Sequence, residues 1–545
     1  MKILFFMLHP GYMRYYHTTV SELARRGHTI HLSFDIPAKQ AKDKLDEKVS
    51  AEFPGRIIVT QTPKFVCKWF NLSRAVSWAI DYLRYLTPVF KNAFRLRKRV
   101  EVKMHPLFTK MFTQTPVFSS LPAVTAAIKI FIVFYNHIPV PSMLKKYIEK
   151  IDPDIVLVTP LVTQGSFQGD YVKASRLLGI PVAYCVASWD NLTSKGLIKG
   201  KPDKVILWNE TQKNEAQTMH GINPSSIKCT GAQNFDAWFH RKPSTSRENF
   251  CRNAGLDPDK PFFLYLCSSN FMAPNETKFV TGWIEAIRGS DNPHIAQAGI
   301  LIRPYPEHVK QWEQVDYTGL PNVAIWPPAG EYPLTDQSIS NFYDSIYHSW
   351  AVVGINTSAM IESAIIGRPI LTIMAQELNG SQSNTLHFHY LLRENGGFLL
   401  VAENLREHIR QLENIVNGDK SLHASMLDFV EKFIRPNGLK TDCVPIVADE
   451  IEKLSAITVR KSVLSDILTV LYKLLYYPPA YLVTKISTGT KWKLRSGQWK
   501  KIARLAEELG CDPLELWEVT EQNGLLSCDV TLNKSKIAEL INLKS

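Results

Sequence analysis

The chain reads as an α/β protein of two doubly wound domains, 1–238 and 254–458, followed by a helical extension from 459 to 545. Three stretches predict this. The first is the opening: an apolar run (KILFFML), a polar loop (HPGYMRYYH), a helix-forming stretch (TTVSELARRGH) and a second apolar run (TIHLSF, ending at Asp35). Strand, loop, helix, glycine and strand in that order begin a doubly wound sheet. The second is a fresh alternation from Lys260, with PFFLYLCSS, GILIRPY and NVAIWPP in succession. The third is AVVGINTSAMIESAIIGRPILTIM, Ala351 to Met374, an apolar run that turns through small polar residues into a helix and out into another apolar run.

Between these anchors each element has its own signal. Arg56 to Thr60 (RIIVT) predicts a third strand, and Asp154 to Thr159 and Val182 to Val186 bracket a helix that stops at Leu178-Gly179. Lys204 to Trp208 adds a strand, and Asn209-Glu210-Thr211 opens a helix. SIKCTGAQNFDAWF and the polar stretch from His240 to Asn253 read as the connection between domains. A strand at Gly397 to Val401 and helices near 403–416, 421–433 and 442–455 close the second domain. Residues 65–148 form an insertion rich in aromatic and basic side chains.

The third stretch carries the most chemistry. A strand feeding a helix through Asn356, Thr357 and Ser358 gathers backbone N–H groups and the positive end of the helix dipole at one point, which suits a phosphate. Glu362 follows about one turn inside, where a carboxylate can accept hydrogen bonds from ribose hydroxyls. Gly367, Arg368 and Pro369 stop the helix. The alternative is a plain β-α-β unit.

With its small-residue turn, its Glu near the helix start and its Gly-x-Pro, this segment resembles the donor-binding strand–loop–helix of GT-B glycosyltransferases and their relatives. Those relatives include UDP-N-acetylglucosamine 2-epimerases and CDP-glycerol glycerophosphotransferases. The resemblance implies two Rossmann-like domains facing a cleft. The N-terminal domain would take the acceptor and the C-terminal one a nucleotide sugar, with the last helices crossing back onto the N-terminal domain. It further implies transfer of a sugar to a hydroxyl of a glycan or lipid-linked acceptor, in surface-polysaccharide or lipopolysaccharide assembly. The nucleotide sugar would be substrate, with no separate cofactor and no metal; no Asp-x-Asp triplet is present, and His387 and His389 have no third ligand spaced to join them. An epimerase, a glycerophosphotransferase and, from another class, a non-catalytic basic scaffold on membranes are the alternatives.

Candidate residues follow from the strand ends. In the first domain His9 stands after the first strand, where some GT-B enzymes carry a general base, and an imidazole pKa suits that work. His17 reads as a capping or surface histidine. Asp190, in VASWDNLTSKG, either contacts substrate or organises its own loop as an Asx turn. With GAQNFDAWF, this stretch resembles GT-B-like proteins grouped with bacterial surface-polysaccharide enzymes. In the second domain, Ser268, Ser269 and Asn270 follow one strand and offer hydroxyls and N–H groups to phosphate. Arg303 follows the next and would clamp a diphosphate or form a structural ion pair. By the resemblance, Gln382, Thr385 and His387 belong to a loop that meets the donor sugar.

Composition sets outer bounds. At 545 residues with 45% hydrophobic and 21% charged side chains, the chain is an ordinary folded protein. Its eight cysteines show no Cys-x-x-Cys pair and read as free thiols of a reducing compartment. The first apolar run lacks the flanks of a signal peptide and reads as a buried strand. The net charge of +12 is concentrated: Lys91 to Lys110 holds seven Lys/Arg against one Glu, and Leu121 to Tyr135 adds an apolar run. That run is too short to span a bilayer, which needs roughly 20 apolar residues. Basic and apolar segments side by side fit peripheral docking on anionic lipid, through Arg95, Arg97, Lys98 and Arg99, at the cytoplasmic face of the plasma membrane. The basic tail (Lys485, Lys491, Lys493, Arg495, Lys500, Lys501 and Arg504) would be a second contact. Nothing resembles a nucleic-acid module.

Overall fold

A computed structural model describes residues 1–36, 44–65, 67–269, 272–273, 276–374, 382, 384–419, 421–459, 463–488, 498–499, 501–506, 516–517 and 520. Two compact units emerge, Met1–Asp236 with Glu431–Ser496 and Ala237–Val430 with Gly497–Ser545.

Unit 1 is built on seven parallel strands, β1 (Lys2–Met7), β2 (Thr29–Phe34), β3 (Ile57–Gln61), β4 (Ile155–Thr159), β5 (Val182–Cys185), β6 (Lys204–Leu207) and β7 (Ile227–Cys229), in the order β3-β2-β1-β4-β5-β6-β7. Ile3 pairs with Ile30 on one side and Ile155 on the other. Successive side chains of β1 point to opposite faces: Ile3, Phe5 and Met7 enter one core, Leu4 and Phe6 the other. Both faces are covered, so these strands read as unbroken apolar runs rather than alternating ones.

Helix α1 (Met13–Arg25) follows β1, and α2 (Leu45–Glu52) lies between β2 and β3. The stretch expected as an insertion folds into α3 (Lys68–Arg84), α4 (Phe94–Glu101), α5 (Pro106–Gln114), α6 (Pro116–Ser119) and α7 (Leu121–His137). Prolines in the first turns of α5, α6 and α7 start them at little cost, since no intrahelical N–H bond is lost there. Then come α8 (Ser142–Ile151), α9 (Gly169–Leu178), α10 (Asn191–Ser194) and α11 (Glu210–Thr218). The Asn209 side chain accepts from Gln212 N and caps α11.

The residues read as a connection are more ordered than expected. Ile227–Cys229 forms the edge strand β7, and α12 (Asp236–His240) and α13 (Arg247–Ala254) follow, the latter capped by Ser246. Unit 2 then has six parallel strands, β8 (Phe262–Leu266), β9 (Gly299–Arg303), β10 (Val323–Ile325), β11 (Ala351–Gly354), β12 (Ile370–Ile373) and β13 (Leu400–Ala402), in the order β10-β9-β8-β11-β12-β13. Its helices are α14 (Glu276–Arg288), α15 (Pro293–Ala296), α16 (Asp336–His348), α17 (Ala359–Ile366), α18 (Leu405–Val416) and α19 (Ser421–Phe429). Two doubly wound parallel sheets are the architecture the sequence predicts.

The expected domain limit at 458 moves. From Glu431 the chain rejoins unit 1, where α20 (Cys443–Glu452) lies along α1. Val447, Ala448, Ile451 and Leu454 complete the core under Ile3, Phe5 and Met7. Arg26 bonds Asp449 at 2.6 Å and Glu452 at 3.0 Å, and His28 reaches Glu452 at 2.7 Å. Helix α21 (Val463–Thr488) follows and packs on α3. Among the described residues no single helix is long and apolar enough to cross a membrane.

Candidate functional site

In an open parallel sheet, ligands sit at the carboxyl ends of the strands where the order reverses. The unit 2 reversal lies between β8 and β11. The loops flanking it are therefore 267–269 and 355–358, the two stretches singled out for phosphate.

After β11 the chain needs a small residue: a Cβ at Gly354 would stand 3.2 Å from the Leu266 carbonyl. Asn356 is buried and donates to Thr385 Oγ1 at 3.2 Å, tying this turn to the loop after β12. Thr357 is half-buried, and its carbonyl accepts from Met360 N at 3.1 Å. Ser358 is exposed at the N-cap of α17, without a side-chain cap bond. Glu362 lies half-buried in the first turn. Gly367, at φ 82°, closes the helix with its N–H on Ala364 O, a left-handed cap that favours glycine.

After β8 the arrangement differs from the expectation for Ser268. Its N–H is taken by Glu276, at 2.9 Å and 3.0 Å to the two carboxyl oxygens, and is turned inward. Glu276 is fully buried and also accepts from Tyr265 Oη at 3.2 Å. Burial pushes its carboxyl up to about 8, against the opposing pull of the Ser268 N–H. Ser269 is half-buried, its carbonyl accepting from Met272 N at 2.8 Å. Asn270 lies outside the described residues.

Arg303 is buried and held by protein. Its Nη1 donates to Ser345 Oγ at 3.0 Å, its Nη2 lies 3.6 Å from Glu331, and it stacks over Trp326 and Phe342. Burial lowers it to about 10, with Glu331 opposing. Nη2 is buried without a hydrogen-bond partner, so these contacts leave both readings, diphosphate clamp and structural ion pair, standing. Gln382 is also fully buried, and its amide donates to Ile355 O, Thr372 Oγ1 and Ile373 O at 3.2, 2.9 and 3.1 Å. It fastens the loop after β12 onto β12 and the residue that follows β11. Thr385 bonds Gln382 O at 3.0 Å, and His387 is buried in a short 3-10 turn. Thus Asn356, Gln382 and Thr385 come together.

The unit 1 order reverses between β1 and β4. His9 follows β1 there, its ring lying over Gly11, where a Cβ would meet Nδ1 at 2.9 Å. It is 4.8 Å from the Tyr12 ring. Burial raises the Tyr12 hydroxyl far above its ordinary value, helped by Tyr15 and Asp190, so Asp190 shares this neighbourhood. The Asp190 carboxylate accepts from Ser194 Oγ at 2.7 Å and Asn191 Nδ2 at 3.3 Å, with Lys195 at 3.8 Å. These partners are side chains of its own loop, and the carboxylate makes no side-chain cap bond to α10. His17 makes a bond at 3.2 Å to Met13 O within its helix.

Helix α3 fixes the loops around these residues. Asp81 accepts from Gly165 N at 2.7 Å, Leu197 N at 2.9 Å and Lys199 Nζ at 2.7 Å, all buried. Arg84 donates to the carbonyls of Leu192, Lys195 and Gly196. His220 contacts Arg84, and burial together with that cation lowers its pKa well below the ordinary range. The sequence reading passed over one further group at this edge. Asp35, at the end of β2, accepts from Tyr171 Oη at 2.5 Å and Gln168 Nε2 at 2.8 Å. Burial raises it to about 7. Its signal was a lone carboxylate closing an apolar strand.

Of the four basic residues of α4, Arg95, Arg97 and Lys98 are half-buried and Arg99 is exposed: Leu96 and Val100 turn inward, Lys98 lies 3.7 Å from Glu101, and Arg97 covers Phe94. Lys491, Lys493, Arg495 and Lys500 of the tail lie outside the described residues. Among the described residues no three His, Cys, Asp or Glu side chains converge as a metal site would need.

No family model and no curated protein matches the chain. Solved structures similar to it are UDP-GlcNAc 2-epimerases and glycosyltransferases. The UDP-GlcNAc 2-epimerase of Methanocaldococcus jannaschii aligns over 83% of this chain and 100% of its own, at 13% identity and a TM-score of 0.46. A glycosyltransferase from Rickettsia africae aligns over 84% and 98%, at 12% identity and 0.47. Anabaena HepE, in complex with UDP and glucose, aligns over 84% and 100%, at 12% identity and 0.44.

Proposed function

We propose that the protein is a glycosyltransferase that moves a sugar from a nucleotide-sugar donor to a hydroxyl acceptor, in surface-polysaccharide or lipopolysaccharide assembly. One observation carries the reading: the small-residue turn 356–358 and Glu362 stand at the carboxyl edge of a parallel sheet, beside its order reversal. The N-terminus of α17 and the hydroxyls of Thr357 and Ser358 would meet the donor diphosphate, and Glu362 the ribose. In the reaction the acceptor oxygen bonds to the anomeric carbon as the bond to the diphosphate breaks. The acceptor proton passes to a base, for which His9, at the order reversal of unit 1, is the candidate.

Thermal-shift measurements with nucleotides and nucleotide sugars test the donor site, because a ligand of the native state raises the melting temperature. Glu362→Ala should fold normally and bind its nucleotide roughly 10- to 100-fold more weakly, the loss of a charged hydrogen-bonding group. Unchanged affinity in the folded variant removes Glu362 from the site. Consumption of the nucleotide sugar without acceptor would favour an epimerase, a phosphodiester product a glycerophosphotransferase, and no nucleotide binding at all a scaffold.

A further inference from the structure

Unit 1 carries apolar surface that the α/β core does not use. Helix α21 is apolar on opposite sides. Tyr472, Tyr476, Ala480 and Val483 pack inward against α3 and α7, with Phe134 and Tyr476 4.4 Å apart. The outward stripe of Leu471, Leu474, Leu475, Tyr481 and Leu482, each 50% exposed or more, repeats at helical spacing. Helix α7, packed on the same α3, exposes Ile130 and Val133, and α5 and α6 beside it expose Leu107, Val117 and Phe118. Aromatic contacts join these helices: Phe108 lies 6.1 Å from Phe131, and Phe112 6.1 Å from Phe118. The result is one continuous collar around α3. A surface helix normally shows water a polar face, and exposed apolar area on this scale marks an interaction surface.

Charge identifies the partner. Residues 102–148 contain five lysines and no acid, and α21 carries Lys473 and Lys485 against one acid, Asp466. Lys110, Lys129 and Lys473 are exposed within or beside the apolar stripe. A second copy of the chain docking by two-fold symmetry would bring two faces that both carry these lysines together. An anionic bilayer satisfies both features, taking the leucines below the headgroups and the lysines among the phosphates, with Tyr477 and Tyr481 at the boundary.

We propose that the collar of α5, α6, α7 and α21 seats unit 1 on the surface of anionic membranes, lying in the interface rather than spanning it. The bases of α4, of which Arg95, Arg97 and Lys98 are half-buried, are not its principal contact. The test is flotation of the full chain with vesicles of phosphatidylcholine alone and of phosphatidylcholine with about one-third phosphatidylglycerol, at low and high salt. The full chain should float with the mixed vesicles and bind pure phosphatidylcholine more weakly. Leu474→Glu/Leu475→Glu and, separately, Ile130→Glu/Val133→Glu should each reduce the partition coefficient about tenfold or more, because buried apolar area and lipid charge both set binding. All four positions are exposed, and far-UV dichroism and melting temperature should match the parent. Arg95→Glu/Arg97→Glu should stay within about twofold. Failure of the parent to float at low salt overturns the proposal, as does undiminished binding by both collar variants or loss confined to the α4 variant. Concentration-dependent self-association of the parent without vesicle binding, abolished by the collar variants, would assign the face to a second copy instead.

Discussion

Replacing Glu276 with Gln should stabilise unit 2 at neutral pH, by an amount that grows with pH. The carboxyl is wholly buried, with Ser268 N–H and Tyr265 Oη as its donors, and burial raises it from an ordinary 4.5 to about 8. Between these values the unfolded chain has released the proton while the folded chain keeps it. Stability is therefore full below 4.5 and falls as pH rises, until the folded group too ionises near 8. Each pH unit is worth about 1.4 kcal/mol, so the deficit at pH 7 is about 3 kcal/mol. Gln has the shape of the neutral acid: its Oε1 keeps the Ser268 N–H and Tyr265 donors, and its amide stands where the neutral acid's own second oxygen, 3.0 Å from Ser268 N, stands. For a unit of this size the gain corresponds to roughly 6–12 °C in melting temperature at pH 7, shrinking to nothing near pH 4.5. Paired thermal melts of parent and Glu276→Gln from about pH 5 to about pH 8 measure it, and taking the difference cancels the other titrating groups. A gap that does not widen with pH would refute the buried neutral acid.

Other perturbations test other parts of the description. Burial lowers His408 to about 3 while it accepts from Trp283 Nε1 at 3.0 Å, so its stabilisation, complete above 6.5, is lost as pH falls toward 3. His408→Gln, which can still accept that bond, should lose less melting temperature between pH 6.5 and about pH 4.5 than the parent does. Gln382→Ala leaves two carbonyls and a hydroxyl without their donor and should cost roughly 2–4 kcal/mol in chemical denaturation. Gly165→Ala places a Cβ against the Trp78 ring, whereas Gly221→Ala, at nearly the same φ, meets nothing. Unit 1 should therefore tolerate the second far better, and equal losses in the two melts would show that Trp78 does not crowd the site.

Much of the fold was legible because strands buried on both faces must be continuously apolar, as KILFFM, IVLVT and FFLYL are. β7 escaped because it is three residues long with Lys228 exposed at the sheet edge. The turn at 356–358 was legible from its small residues after an apolar run. The setting of Arg303 was not, since nothing near it in sequence announces that it stacks over Trp326 and Phe342. Its partners lie 23 to 42 positions away. Gln382 looked like a polar loop residue, but its three acceptors sit on two different strands and their loops. Asp35 offered only a carboxylate after an apolar strand, and Glu276 no local pattern at all. What makes them unusual is enclosure, which no short stretch of residues encodes.

The return of the chain at Glu431 has a consequence for anyone dissecting or recombining this protein. A single cut near 236 would yield an N-terminal fragment missing Val447, Ala448, Ile451 and Leu454, and so with the underside of β1 open to water. Such a fragment should aggregate, whereas one in which 431–488 is tethered back to 236 by a flexible spacer keeps both the strip under β1 and the face of α21 that packs on α3. Exchange of whole units between related chains would likewise require two junctions rather than one. The C-terminal helix must travel with the N-terminal half it supports, however far apart the two are written in the gene.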